Sequence, residues 1–143
     1  MRLVFGQDAR IASFVVGLVP HMDTPREFQA IGVADDDGAL VAGCLYHGYI
    51  PRYAGLEISF AAASPRWAQR GVVRSLLHYP IVQLGCRRVT TVIPADNLRA
   101  IKFNVGIGFT REGTLRHFYA PKRHAVVCGF LASDYERLFQ AKE

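Results

Sequence analysis

Residues 56–77 read LEISFAAASPRWAQRGVVRSLL. Leu56 to Ala63 is apolar and strand-like, Ser64-Pro65 breaks it, and a helix is expected over Gly71 to Leu84. The apolar face of that helix is carried by Val72, Leu76, Leu77 and Val82, and Pro80 inside it predicts a kink or an early stop. A strand running through a tight loop into a helix start leaves backbone N–H groups pointing outward, and these favour an anion. The N–H groups of Gln69, Arg70, Gly71, Val72, Val73 and Arg74 are therefore a candidate pyrophosphate cradle. Gly71 permits close backbone approach, and Arg70 and Arg74 add positive charge. The glycine spacing fits neither a Walker loop nor a dinucleotide fingerprint.

Upstream, Arg2 to Phe5 is expected to be a short strand, and Gln7 to Val19 a helix with Ile11, Phe14, Val15 and Leu18 on one face, ended by Pro20. Thr24-Pro25-Arg26-Glu27 reads as a further turn of helix, capped by Thr24 with Pro25 at the first helical position. Ala30–Ala34 and Ala39–Tyr46 form a hairpin through Asp35-Asp36-Asp37-Gly38, and Gly48–Gly55 is a loop. Downstream, Arg88–Ile93 is a buried strand, Asp96 or Asn97 caps a helix to about Val105, and Gly106-Ile107-Gly108 closes it. Phe109–Phe118 and Ala125–Leu131 are strands, and Ser133–Gln140 is a short helix with a Ser-x-x-Glu cap. This order predicts an α+β sheet with a parallel crossover from Leu56–Ala63 to Arg88–Ile93.

The chain has 143 residues, half of them hydrophobic, a size at which one domain over residues 1–143 buries a core without staples. No apolar run approaches the roughly 20 residues of a membrane span, and Met1 to Gly6 lacks the order of a signal peptide, so a cytoplasmic location is expected. The net charge of +5 suits an anionic partner, either a polyphosphate cofactor or nucleic acid. Cys44, Cys86 and Cys128 lie in apolar segments and read as buried thiols; they share no metal spacing, nor do His21, His47, His78, His117 and His124.

Residues 97–113, NLRAIKFNVGIGFTREG, complete the pattern. Asn97, Ala100, Gly108-Phe109 and Glu112-Gly113 follow a parallel strand in that order, and together with residues 56–77 they resemble the GNAT acetyltransferase superfamily over the chain from about Ala30 onward. The resemblance implies a GNAT-like mixed sheet with helices on both faces and a splayed parallel strand pair. It implies acetyl-coenzyme A as co-substrate and a primary amine as acceptor. It assigns the pantetheine arm to the backbone of Ala61 to Ala63, with an N–H near Ala61 polarising the thioester, and adds Asn97, Ala100, Phe103 and Asn104 to the cofactor side. Glu57 aligns with a glutamate that some relatives use as general base, which an ammonium acceptor requires.

The chain also departs from the family. Ala68 stands at the usual Gln or Arg position of the loop, and Val73 at its second small position. Asn104 stands where many relatives carry a tyrosine that protonates the leaving thiolate, so water, Tyr119 or another tyrosine would have to serve, or the thiolate leaves unassisted. These departures favour the alternative of a catalytically silent cofactor-binding protein, and the basic charge a tRNA-directed member. Trp67 either walls the acceptor pocket or shields the core edge. Tyr46, His47, Tyr49, Arg52 and Tyr53 suggest an acceptor-side segment. Ala125–Leu131 is apolar enough to pair in a homodimer or to be buried in one chain.

Overall fold

A computed structural model describes residues 1–19 and 22–140, and the expected helix stop at Pro20 lies outside them. The strands are β1 (Arg2–Val4), β2 (Phe28–Ala34), β3 (Leu40–Ile50), β4 (Gly55–Ala62), β5 (Arg88–Pro94), β6 (Thr110–Ala120) and β7 (Arg123–Leu131). They make one sheet in the order β1-β2-β3-β4-β5-β7-β6. Every neighbouring pair is antiparallel except β4 and β5. Among the described residues the α-helices are α1 (Asp8–Leu18), α2 (Arg70–His78), α3 (Leu98–Gly106) and α4 (Ala132–Tyr135).

The period-two alternation of the strands feeds two apolar layers. On one face, Gly43, Leu45 and Ala61 lie under Ile11, Ala12 and Val15 of α1. On the other, Cys44, Tyr46, Leu56 and Ile58 meet Val73, Leu76 and Leu77 of α2 and Ile101 of α3. All three cysteines are free and buried, and burial pushes the Cys44 thiol up to about 12.

The hairpin turn forms as expected. Gly38 takes a φ of +83°, and Asp35 Oδ1 accepts the N–H groups of Asp37 and Ala39 at 3.0 Å each. Pro80 also acts as expected: α2 stops at His78, and Tyr79–Gln83 is a single π-turn with Leu84 N–H bonded to Tyr79 O at 3.0 Å. Leu76 and Leu77 are buried as expected, joined by Val73, while Val72 is only partly buried and Val82, on the π-turn, is exposed.

Three local expectations are corrected. Thr24–Glu27 is irregular chain that bends at Arg26 and Glu27, because one isolated turn of helix is costly to nucleate and Phe28 already pairs with His47. β3 runs on to Ile50 through a register shift beyond His47, so half of the expected Gly48–Gly55 loop is strand. The last helix starts at Ala132, capped when Asp134 Oδ2 accepts the N–H of Leu131 at 2.9 Å, and not by Ser133.

Gly108 has a φ of +121°, and a Cβ there would stand 2.6 Å from Leu138 Cδ1 and 2.9 Å from Phe130 Cε2. Gly108→Ala should therefore cost about 2 kcal/mol or more, seen as a lower urea midpoint. Gly113→Ala, whose Cβ meets nothing within 4 Å, should stay near the parent. A thiol reagent should modify none of the three cysteines in the folded protein and all three after unfolding.

Candidate active site

The parallel pair β4–β5 is joined over only three positions: Gly55↔Arg88, Leu56↔Val89 and Glu57↔Thr90. Each strand stays paired on its outer side well beyond that point, β4 to Ala62 against β3 and β5 to Pro94 against β7. The inner edges must therefore part after Glu57 and Thr90. A cleft of about 550 Å³ fills the gap, with Ser59 to Ser64 on one wall and Thr91 to Pro94 on the other. Asn97, Ala100, Phe103 and Asn104 also line it, so α3 lies where the sequence put it.

The ladder decides which backbone groups face this cleft. Ala63 donates its N–H to Val41 O at 2.9 Å. Antiparallel alternation then turns Ala61 and Ser59 toward β3 as well, and leaves the N–H and C=O of Phe60 and Ala62 toward β5, beyond the last paired position. The backbone N–H groups near Ala61 that face the cleft are thus those of Phe60 and Ala62, and Ala61 and Ala63 are small residues of the wall.

The cradle narrows in the same way. Gln69 N–H is bonded to Trp67 O at 2.8 Å and Val73 N–H to Gln69 O at 3.0 Å. With Arg74 inside α2, the free donors of the first turn are Arg70, Gly71 and Val72. A Cβ on Gly71 would meet nothing within 4 Å, so the space over that turn is open. The residues Gln69 to Arg74 do not line the cleft, whose nearest wall residue is Trp67. Arg70 points elsewhere: its guanidinium donates to Leu138 O and sits 4.9 Å from the centre of the Phe139 ring.

Asn97 is spent as a cap, its Oδ1 accepting Ala100 N–H at 3.1 Å. Asn104 is buried, with Nδ2 donating to Ala100 O at 2.8 Å. Neither group supplies an acid. Tyr119 does line the cleft, from the far strand β6, where the pairing with β7 is irregular between Leu115 and Ala120. Partial burial raises its phenol above the usual value. Trp67 is 3 % exposed and packs against Phe60 and Phe103 with ring centres 4.6 and 5.4 Å away, so it is both core and cleft wall.

The aromatic segment after Leu45 does not act as one surface. The Tyr46 hydroxyl donates to Leu76 O at 2.7 Å inside the core, and that of Tyr49 to Leu84 O at 3.4 Å. Tyr53 is exposed beside Arg52. None of the three lines the cleft. His47 does not line the cleft either, but it stands opposite Glu57 across β3–β4, and its Nε2 is 2.8 Å from Oγ of Ser59, a cleft-wall residue. Its Nδ1 lies 3.7 Å from Glu57 Oε2, and burial lowers its pKa while Glu57 works the other way. Glu57 itself is half exposed and is not a wall of the cleft. Glu112, from the Glu-Gly pair, holds Arg88 at 2.6 Å and fixes the start of β5. Among the described residues no metal-binding cluster occurs, and no helix is long and apolar enough to cross a membrane.

No protein-family model and no curated protein matches the sequence. The fold, in contrast, has relatives among solved structures. Spermidine N-acetyltransferase from Vibrio cholerae, in complex with CoA and spermine, is 16% identical with a TM-score of 0.66, over 77% of this chain and 69% of that one. A chimera of the Vibrio cholerae enzyme and hSSAT gives 17% and 0.67, over 78% and 72%. The chain has the GNAT-like acyl-CoA N-acyltransferase fold, with the splayed pair β4–β5 at its centre.

Arg70 ties α2 to the C-terminal segment, through one carbonyl and one ring. Arg70→Ala should lower stability by about 1 kcal/mol, measured by urea unfolding, with no ligand present.

Proposed function

We propose that this chain transfers an acetyl group from acetyl-coenzyme A to a primary amine. The parting of β4 from β5 after three paired positions carries this reading. It leaves a gap with unpaired backbone groups on Phe60 and Ala62, which suit the amides of a pantetheine arm, and a free helix N-terminus at Arg70 to Val72, which suits a pyrophosphate. The residues present fit the co-substrate in kind: backbone donors for the phosphates, small side chains at Ala61 and Ala63, and an open approach over Gly71. An N–H of Phe60 or Ala62 aimed at the thioester oxygen would stabilise the charge that grows there. The CoA bound to the Vibrio cholerae structure supports the same reading.

The acceptor we infer differs from a polyamine. No carboxylate lines the cleft among the described residues, and its charged side chain is Arg99. Leu18, Val19, Met22 and Tyr119 add apolar and aromatic surface to the lining. Such a wall favours an amine with an apolar or anionic remainder over a polycation. The three free thiols support a reducing, cytoplasmic setting. A silent cofactor-binding protein is the second reading, favoured by Asn104, whose amide is tied to Ala100 and donates no proton to sulfur.

Acetyl-coenzyme A should change the fluorescence of Trp67, the one tryptophan, and raise the unfolding temperature. Gly71→Ala should keep the fold and weaken that binding, since the added methyl fills the approach to the first-turn N–H groups. In a thiol-release assay, arylalkyl monoamines should be better acceptors than spermidine. Binding without thiol release from any amine would favour the silent reading, and no binding would refute both.

A further inference from the structure

The geometry points to a proton relay behind the cleft wall: Ser59 passes the acceptor's proton to His47, and Glu57 acts only through the histidine. This inference rests on the acetyl-transfer reading above. β3 and β4 place the three side chains on the face that α1 covers, because His47↔Glu57 is a register pair and Ser59 follows Glu57 by two residues. Ser59 is the first of them to reach the cleft, and it stands just past the last β4–β5 pair, where the gap opens. Its Oγ is 2.8 Å from His47 Nε2, a full hydrogen bond. His47 Nδ1 and Glu57 Oε2 are 3.7 Å apart, an ion-pair distance once the ring is charged.

The relay assigns the roles. It requires Nε2 to accept the Ser59 hydroxyl proton, which puts the proton of the neutral ring on Nδ1, facing Glu57. β2 sets Phe28 opposite His47, so the charge acting on the ring comes from Glu57 on β4. An arriving ammonium gives one proton to Ser59 Oγ as the serine proton moves to Nε2, and an imidazolium beside the Glu57 carboxylate results. The freed amine lone pair forms the C–N bond at the thioester carbon. The C–S bond then breaks, the second proton on nitrogen goes to the thiolate, and the proton on His47 returns to solvent. One amide, one thiol and one proton leave, so atoms and charge balance. A Glu57 that took the proton directly would need to line the cleft, and it does not.

The test combines pH profiles with ring NMR. With the best acceptor from the amine panel, kcat/KM should fall toward acid as His47 is protonated, with a midpoint below the ordinary histidine value because burial lowers it. His47→Gln should lose about 100-fold or more and remove that acid limb, while acetyl-coenzyme A still binds. Ser59→Ala should lose less, since a water can take the hydroxyl's place, and should retain the limb. Glu57→Gln should keep the limb and move it to lower pH, because the carboxylate is what raises the ring's pKa. If Glu57→Gln removes the limb and His47→Gln leaves it, Glu57 is the base and the relay is wrong. Nitrogen-15 NMR of the imidazole tests the relay even if no amine is acetylated. At pH 7.5 His47 should be neutral with the proton on Nδ1, and Ser59→Ala should shift the Nε2 signal. A proton on Nε2, or an imidazolium, overturns the relay, whereas an intact ring signature with no turnover on any amine overturns the acetyl-transfer reading instead.

Discussion

The site depends on one break in a hydrogen-bond ladder. β4 and β5 are paired at Gly55, Leu56 and Glu57 and part beyond, while each stays paired to its outer neighbour. A sheet ordinarily satisfies its backbone by pairing, and unpaired groups in a buried setting are costly. Here the parting leaves Phe60 and Ala62 with groups that only water or a ligand can satisfy. The two antiparallel ladders on either side hold both strands in the sheet past the point where they part.

Around that break the sheet uses its two faces differently. The face toward α2 and α3 supplies bulk: Phe60, Trp67 and Phe103 pack together along the cleft. The face toward α1 supplies polarity, with Ser59 at the wall and His47 and Glu57 behind it. The cleft thereby has an aromatic cluster on one face of the sheet and a hydroxyl backed by an imidazole and a carboxylate on the other. The period-two alternation of β4 assigns Phe60 to one and Ser59 to the other.

Much of this could be read from the sequence because the signals are local. The strand-loop-helix of residues 56–77, the Asn97 cap, the Gly38 turn and the Pro80 stop each depend on a few adjacent residues. The parallel crossover followed from their order. What the sequence hid is long-range. Arg70 reads only as charge beside the cradle, and its contacts with Leu138 O and the Phe139 ring, 68 and 69 residues away, are not legible locally. Tyr46 reads as an acceptor-side aromatic until α2 brings Leu76 O to its hydroxyl. His47 and Ser59 are twelve residues apart, and only the register of β3 on β4 brings them to 2.8 Å. Thr24 and Ser133 carry the right capping chemistry, yet strand pairing at Phe28 and the Asp134 side chain override it.

Amide hydrogen exchange along β4 tests most directly whether the parted strands are where the acyl donor lies. In the free protein, Ala61 and Ala63 should be protected by β3, and Phe60 and Ala62 should exchange fast. Saturating acetyl-coenzyme A should slow Phe60 and Ala62 and leave Ala61 and Ala63 as they were. If Phe60 and Ala62 are already protected without ligand, or stay fast when acetyl-coenzyme A is bound, the split between β4 and β5 is not the binding slot.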